Sequence, residues 1–551
     1  MCGANPCYAP SLSCGVRARN AMNSQNVQCR NVHKLRIRAG NDSDSGLDTA
    51  GVGSTLISPG WLTALRRNWG GGGDIPVANA RPEQVADLLG GALFQALFTW
   101  FEESGPVYLL PTGPFSSFLI ISDPIAAKHV LQKYGSVYSK GLVREVSEFL
   151  FGDGFATAEG EMWRVRRKAV GPGFHKSYLD TMVSLVFSPS AARMLEKVEV
   201  SCIQNIPVNI EAYYSQVTLD IIGKAVFNYD FDALSADTPI IQAVYDALKE
   251  TEQRATDLLP IWKVPEVARF VSSRQRRAQN AVKIIRATTQ ELIDQCKAEV
   301  HREQAADTLN GEFGEEFYVD HRDPSILRFL LAAREETTET QLRDDLLSLL
   351  VAGHETTGSV LTWTTYLLAQ NADALKRVQD EVDGVLLSNG VKRNPDYEDV
   401  KTKLPFLVRC INESMRLYPH PPVLLRRADI SDTLPGGELV PAGQDVMISV
   451  YNIHHSEAVW GPTANEFDPM RFGPLDGPIP NEQNTEYRYI PFSGGPRKCV
   501  GDQFALMEAA TVLSMLIRDF HFKLLPGQEI GLTTGATIHT TNGLFMNFSK
   551  R

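Results

Sequence analysis

Residues 491–501 read PFSGGPRKCVG, and the role of Cys499 within them decides how the rest of the chain is read. Gly494, Gly495 and Pro496 let the backbone fold tightly ahead of the sulfur and bring amide N–H groups toward it, while Gly501 permits close approach of a flat partner on the other side. Arg497 and Lys498 add two cations. The run that follows, VGDQFALMEAATVLSMLIRDF, places Val500, Phe504, Met507, Val512, Met515 and Leu516 at helical spacing, so the cysteine is expected at a helix N-terminus. Helix dipole and cations both depress a thiol pKa, which predicts a thiolate. A thiol that merely fills a core needs none of these surroundings.

An activated cysteine serves as metal ligand, covalent nucleophile or redox thiol. Zinc and iron–sulfur sites require clustered ligands, and the nearest other cysteine, Cys410, is 89 positions away. A nucleophile requires a histidine partner; His454, His455 and His539 are available, without a supporting motif. A lone thiolate suits the axial position of a haem iron.

Composition describes a globular protein, 43% hydrophobic and 22% charged, and a net charge of −11 argues against nucleic acid as a partner. From about residue 81 to the C-terminus no linker, repeat or low-complexity tract interrupts the chain, which predicts one large, mainly α-helical domain over 81–551 with a small β region. The leader differs. Its basic residues are Arg17, Arg19, Arg30, Lys34, Arg36 and Arg38, it holds four of the eight cysteines, and no acidic residue precedes Asp42. That composition predicts a transit peptide over 1–40, ending near RIRAGND, and a flexible segment over 41–80 that includes the glycines 70–73. The apolar run LLGGALFQALFTWF, 88–101, is too short to span a bilayer, which takes about 20 residues, and is expected to pack on the core or dip into one membrane face. After it, PVYLLPTGPFSSFLIISDP reads as a β-hairpin leading into a helix at Asp123 and Pro124.

QLRDDLLSLLVAGHETTGSVLTWTTYLLAQ, 341–370, predicts an apolar helix about 45 Å long at 1.5 Å per residue. Its centre breaks the rules of a core helix: His354, Glu355, Thr356 and Thr357 interrupt the apolar run, and Gly353 and Gly358 weaken it. Such concerted violations mark a functional site. In FLVRCINESMRLYPHPP, Glu413 and Arg416 stand three apart on a helix that must stop before Pro419, and FDPMRF supplies Arg471. In apolar surroundings these three charges form one buried network. EGEMWRVRRKAV sets Trp163 and Arg167 one helical turn apart.

With these motifs assembled, the chain resembles a cytochrome P-450, a haem-thiolate monooxygenase. Phe492, Gly495, Arg497, Cys499 and Gly501 fit that family's haem loop; Ala352, Gly353, Glu355, Thr356 and Thr357 fit its oxygen-activating helix; Glu413, Arg416 and Arg471 fit its structural charge triad. The resemblance implies a mainly α fold with haem b between the long helix and the cysteine loop. Cys499 is then the iron ligand, with Trp163, Arg167, Arg427 and Arg497 as partners of the haem propionates and Phe492 beside the cofactor. Thr356 is implied to hold dioxygen in place, and Glu355 to feed protons toward it. Stretches such as EVSEFLFGDGFATAEG and TTGATIHTTNGL are similar to the plastid carotenoid hydroxylase branch, and within it to the ε-ring rather than the β-ring hydroxylases. That likeness implies a carotenoid substrate, O2, a ferredoxin or NADPH-dependent reductase as electron donor, a chloroplast location and peripheral membrane contact through 88–101. It also implies substrate walls at Phe149, Leu150 and Phe151, at Leu350, and at Val423 and Leu424.

Overall fold

A computed structural model describes residues 75–80 and 93–551, apart from 112–116, 236–238, 257–260, 265–267, 269, 311–324, 333–337 and 535–536. The expected transit peptide and the glycines 70–73 lie outside the described residues. The end of the segment read as flexible does not behave as a linker. Val77 forms a parallel bridge with Leu109, Ala78 N–H donates to Leu109 O at 2.8 Å, and Ile75 and Ala78 are buried, so the folded body starts by residue 75.

The hairpin forms as read. Val107–Pro111 pairs antiparallel with Ser117–Ile121, and the helix Pro124–Gln132 begins at an Asp123 cap whose carboxylate accepts from Ala126 N–H at 2.7 Å. This hairpin is one edge of a five-stranded sheet that continues through Asp445–Ser449, Val423–Ala428 and Tyr138–Ser139. Ser117–Ile121 and Asp445–Ser449 run parallel; the other pairs are antiparallel.

The helix Leu93–Ser104 covers one face of the sheet and buries Phe94, Leu97 and Trp100 completely. Of the two expectations for this stretch, packing on the core describes Leu93–Ser104: an amphipathic stripe is satisfied equally by a sheet face or a bilayer, and here the sheet takes most of it, with Leu93, Phe98 and Phe101 half-buried. No helix among the described residues is long and apolar enough to cross a membrane.

The central helix runs Glu339–Gln370, capped by the Thr338 hydroxyl, which accepts from Gln341 N–H at 3.1 Å. Its main neighbour is the helix Ile210–Phe227. Gly353 makes that approach possible, since a Cβ there would stand 2.5 Å from Ile222 Cδ1. Four threonines of this helix bond its own backbone: Thr356, Thr362, Thr364 and Thr365 each donate to the carbonyl four residues back, at 2.7 to 2.9 Å.

Candidate functional site

The cysteine loop is shaped by two close approaches. Gly495 has φ +67° and packs against a carbonyl, so that a Cβ would lie 2.3 Å from Leu131 O; Gly494 lies under the Tyr487 ring. Cys499 N–H then donates to Phe492 O at 3.0 Å, and the helix Asp502–Asp519 starts two residues beyond Gly501's neighbour Val500. Cys499 is exposed, and in the central helix Ala352 is exposed and Thr356 half-buried although Val351, His354, Glu355 and Thr357 are buried. Both elements thus keep one open face.

Beside the loop, Arg497 is sandwiched between aromatic rings, its guanidinium carbon 4.6 Å from the Tyr134 centroid and 4.5 Å from that of Trp163. Its Nη1 donates to Phe155 O at 3.2 Å and its Nη2 to the Tyr134 hydroxyl and Ala158 O, but its buried Nε has no partner. Arg426 is 4% exposed, donates from Nη1 to Leu425 O at 2.7 Å, and likewise leaves a buried Nε unpartnered. Burial, then the charges of Arg426 and Arg497, hold the Lys140 ammonium well below its usual range. Burial likewise lowers Arg426, to about 10. Glu159, bonded to the Tyr134 hydroxyl and to Lys140 N–H, is the carboxylate that faces these three cations.

The helix Gly160–Val170 carries Trp163 and Arg167 and is fastened to the central helix by a buried pair, Arg166 to Asp345 at 2.5 Å. Trp163 supports Arg497, and Arg167 lies close enough to Cys499 for their charges to interact. On the far side, Arg416 makes a two-bond contact with Glu413, at 2.8 and 2.7 Å, and Arg471 Nε reaches Glu413 Oε1 at 3.1 Å. Arg416 also donates to the carbonyls of His454 and Ala464, and both it and Glu413 are fully buried.

A model of the cytochrome P450 family matches residues 84–544. The chain belongs to the cytochrome P450 family. It is 56% identical over 499 residues to a carotene epsilon-monooxygenase, chloroplastic, of Arabidopsis thaliana, covering 90% of each chain. It is also 42% identical over 509 residues to the protein LUTEIN DEFICIENT 5, chloroplastic, of the same plant, and 41% identical over 512 residues to the chloroplastic cytochrome P450 97B2 of Glycine max. These alignments cover 92% and 87% of this chain and 82% and 86% of those relatives.

A P450 binds haem with thiolate-ligated iron, and the residues present fit that group. Three cations against one carboxylate, two of them with orphaned buried N–H groups, suit the two propionates. Cys499 is the open sulfur, and among the described residues no group of three or more His, Cys, Asp or Glu side chains offers another metal site. The cations read beside the cysteine in the sequence are not its only electrostatic partners. Cys499 is open at the surface yet closely surrounded by protein, which raises its thiol pKa; the Gly501 amide, Arg167 and Lys498 oppose this, and Asp502 adds to it. The Lys498 ammonium is itself held between Glu482 and Asp502, each at 3.0 Å. A bound iron would add the positive charge that holds the sulfur as thiolate.

Arg427 is placed differently from the expectation. Its guanidinium bonds twice to Asp445, at 2.8 and 3.0 Å, and once to Glu145, which commits it away from the cation cluster. Arg426, its neighbour on the strand, faces inward instead. The expected substrate walls are also redistributed. Leu150 and Leu350 are buried within the main core, and successive residues of Val423–Ala428 alternate: Val423 packs with the Trp100 cluster, Leu424 on the opposite side with Ile121 and Ile448. Val423 and Leu424 cannot form one wall. Phe149 and Phe151 stay partly buried on the core's rim, where the Arg254 guanidinium lies 3.7 Å over the Phe149 ring; Phe492 packs on the same core. Sequence reasoning missed Lys140, Arg426, Tyr134 and Glu159, which carry no motif; only the doubled arginine of VLLRRA signalled a candidate.

Glu355 has a partner that no local pattern announced. His539, in the hairpin of Leu532–Thr534 and Ile538–Thr540, meets its carboxylate at 2.8 Å. The other two histidines weighed as nucleophile partners are engaged elsewhere: His454 Nε2 accepts from Ile490 N–H at 2.9 Å, and His455 Nδ1 bonds Tyr451 O at 2.9 Å.

Proposed function

We propose that this P450 is a plastid monooxygenase that hydroxylates C-3 of the ε-ring of a carotene, in the formation of lutein. The observation that carries the reading is the 56% identity, sustained over 90% of both chains, to a carotene epsilon-monooxygenase, against 42% to LUTEIN DEFICIENT 5. The chloroplastic relatives and the basic leader support a plastid location.

The haem, when bound, supplies the activation of O2 and the insertion of one oxygen atom into a C–H bond. Around it, Cys499 would hold the iron, and Lys140, Arg426 and Arg497 would neutralise the propionates, with Trp163 and Tyr134 holding Arg497 flat. Arg167 would lend its charge to the cysteine side. The Thr356 hydroxyl, resting on Ala352 O at 2.8 Å on the open face of the helix, is available to give a hydrogen bond there, and Glu355 to hold a proton at its carboxyl. Glu413, Arg416 and Arg471 would be architectural.

Hydrogen removal is easiest where the radical is delocalised, and C-3 is allylic in an ε-ring but not in a β-ring. A carotenoid leaves roughly 800 Å² of apolar surface in water, worth about 20 kcal/mol at about 25 cal/mol/Å², so it must pass directly from membrane to protein. The apolar face of Leu93–Ser104 is occupied inside, and the contact falls to exposed apolar surface such as Phe270 and Val271, 73% and 68% exposed. Electrons come from a ferredoxin or an NADPH-dependent reductase.

Expression in cells that accumulate carotenes, with a working electron supply, tests the reading. A carotene with one ring of each type is expected to gain oxygen on the ε-ring first, and Cys499→Ala to abolish both the product and the strongly red-shifted ferrous carbonyl band. Oxygen on the β-ring alone would transfer the chain to the β-ring enzymes.

A further inference from the structure

From the hairpin contact we infer that His539 is the proton-supplying and positioning residue for Glu355, with Glu211 fixing its ring, a role that rests on the oxygen chemistry proposed above. The imidazole lies between two carboxylates: Nε2 is 2.8 Å from Glu355 Oε1 and Nδ1 is 3.4 Å from Glu211 Oε1. Glu211 is itself oriented by the backbone N–H of Thr540 at 3.2 Å and by the Thr540 hydroxyl. A mere tie between hairpin and central helix needs one carboxylate. Here a carboxylate faces each ring nitrogen, Glu355 in a hydrogen bond and Glu211 at ion-pair distance, an arrangement that favours the doubly protonated ring.

Access is graded across the three side chains, 25% exposed at His539, 18% at Glu211 and 8% at Glu355. Water therefore reaches the histidine, while Glu355 is nearly shut off on this side. The Thr537 hydroxyl also meets Nε2, at 2.6 Å, and takes a hydrogen bond from Ser359 of the central helix at 3.1 Å.

The proton balance is simple. The Glu355 carboxylate takes the Nε2 proton of the imidazolium, passes it to the interior and is a carboxylate again, while the ring becomes neutral imidazole with its remaining proton on Nδ1, facing Glu211. Water then returns a proton to Nε2, and no electron moves. Every ionisable group around the ring enters this balance: Glu211 from Ile210–Phe227, Glu355 and His354 from the central helix, His420 ahead of the strand Val423–Ala428, and Tyr245 of Pro239–Thr256, whose hydroxyl senses both carboxylates. Burial alone would lower the His539 pKa; hydrogen bonds and charge from Glu211 and Glu355 override it and hold the value at about 10. His354 and His420, buried beside it, are held down at about 4 and about 3, which leaves His539 as the cation of this group.

Two measurements on the full, haem-loaded chain test the assignment. In the first, nitrogen-labelled histidine is followed by NMR from pH 6 to 11. His539 is expected to stay cationic at pH 8 and to become neutral there in Glu355→Gln and Glu211→Gln; a neutral His539 at pH 7 in the unmodified protein overturns the proposal. The second is the ratio of product to reductant consumed, with whichever carotenoid the enzyme accepts. His539→Gln should lower it about tenfold or more and flatten its pH profile, and His539→Lys, which keeps a charge but releases no proton near neutrality, should not restore it. Full restoration by lysine, or an unchanged ratio in His539→Gln, overturns the proposal. If the His539 variants do not fold, Glu211→Gln carries the same comparison with a loss in the same direction. If no carotenoid is hydroxylated at all, the functional reading fails while the titration of His539 still decides this one.

Discussion

Two buried ionic clusters of this P450 both hold more cations than carboxylates and differ in how fully those cations are bonded. Around Glu413, one carboxylate meets two arginines, and the remaining Arg416 hydrogens go to the carbonyls of His454 and Ala464. Around Arg497, three cations converge on one carboxylate, and Arg426 and Arg497 keep unpartnered Nε–H groups. A satisfied network rigidifies the fold; a cationic, incompletely bonded one is poised to receive an anion. Side-chain identity alone does not separate the two. Their backbone surroundings do, because carbonyls of the chain complete the first cluster and only partly supply the second.

Breaking the satisfied cluster has the largest expected effect. Glu413→Ala leaves Arg416, which is fully buried, without its counter-charge, and should cost about 3–5 kcal/mol, read as a lowered unfolding midpoint or loss of soluble protein. Near-normal stability in that variant would abolish the contrast. In the cationic cluster, Arg426→Met should fold, since it removes an underbonded charge, yet retain haem several-fold less well on gel filtration than the unmodified protein. Arg427→Met serves as its control: this side chain is 29% exposed and paired with Asp445 and Glu145, so haem retention should be unchanged and stability lower by about 1 kcal/mol or less. Equal haem loss in both variants would undo the assignment of Arg426.

The smallest effect is expected at the sheet's rim, where Asp432 accepts from Lys133 and His129, each at 2.8 Å, and from Tyr138 at 3.0 Å. Burial alone would raise its pKa, but these hydrogen bonds, Lys133's foremost, bring it down to about 2. A depressed carboxyl contributes stability above the unfolded value of about 4, and that contribution is lost as pH falls from about 4 to about 2, amounting to about 1 kcal/mol after solvent screening. Asp432→Asn should remove this part of the acid limb of an unfolding-versus-pH curve and leave the neutral region lower by the same amount.

Much of the fold was legible because its signals are local. The hairpin at 107–121, the Asp123 cap and the central helix each follow from turn residues, cap chemistry or helical periodicity, and the Glu413 and Arg416 pair from i,i+3 spacing on one helix. The site was legible in part. Trp163 and Arg497 come together, but the third cationic position was read as Arg427. In VLLRRA the residues do not alternate in polarity, so nothing local says which arginine faces the interior, and a one-residue shift exchanges the two faces. The transit peptide rests on composition and lies outside the described residues.

By itself, the sequence determined that a single cysteine would stand in a glycine-bent loop before a helix, and that a long helix elsewhere would be interrupted by His354, Glu355, Thr356 and Thr357. Tertiary structure alone decided that Arg426 turns inward, that Lys140 joins it, that Leu93–Ser104 covers a sheet, and that His539 reaches Glu355 from 184 positions along the chain. The physical reason is range. Caps, turns and periodicities are satisfied within about one or two helical turns, whereas the face of a strand and the partner of a buried charge are fixed only when distant segments pack and each polar group must find whatever acceptor the fold has brought beside it.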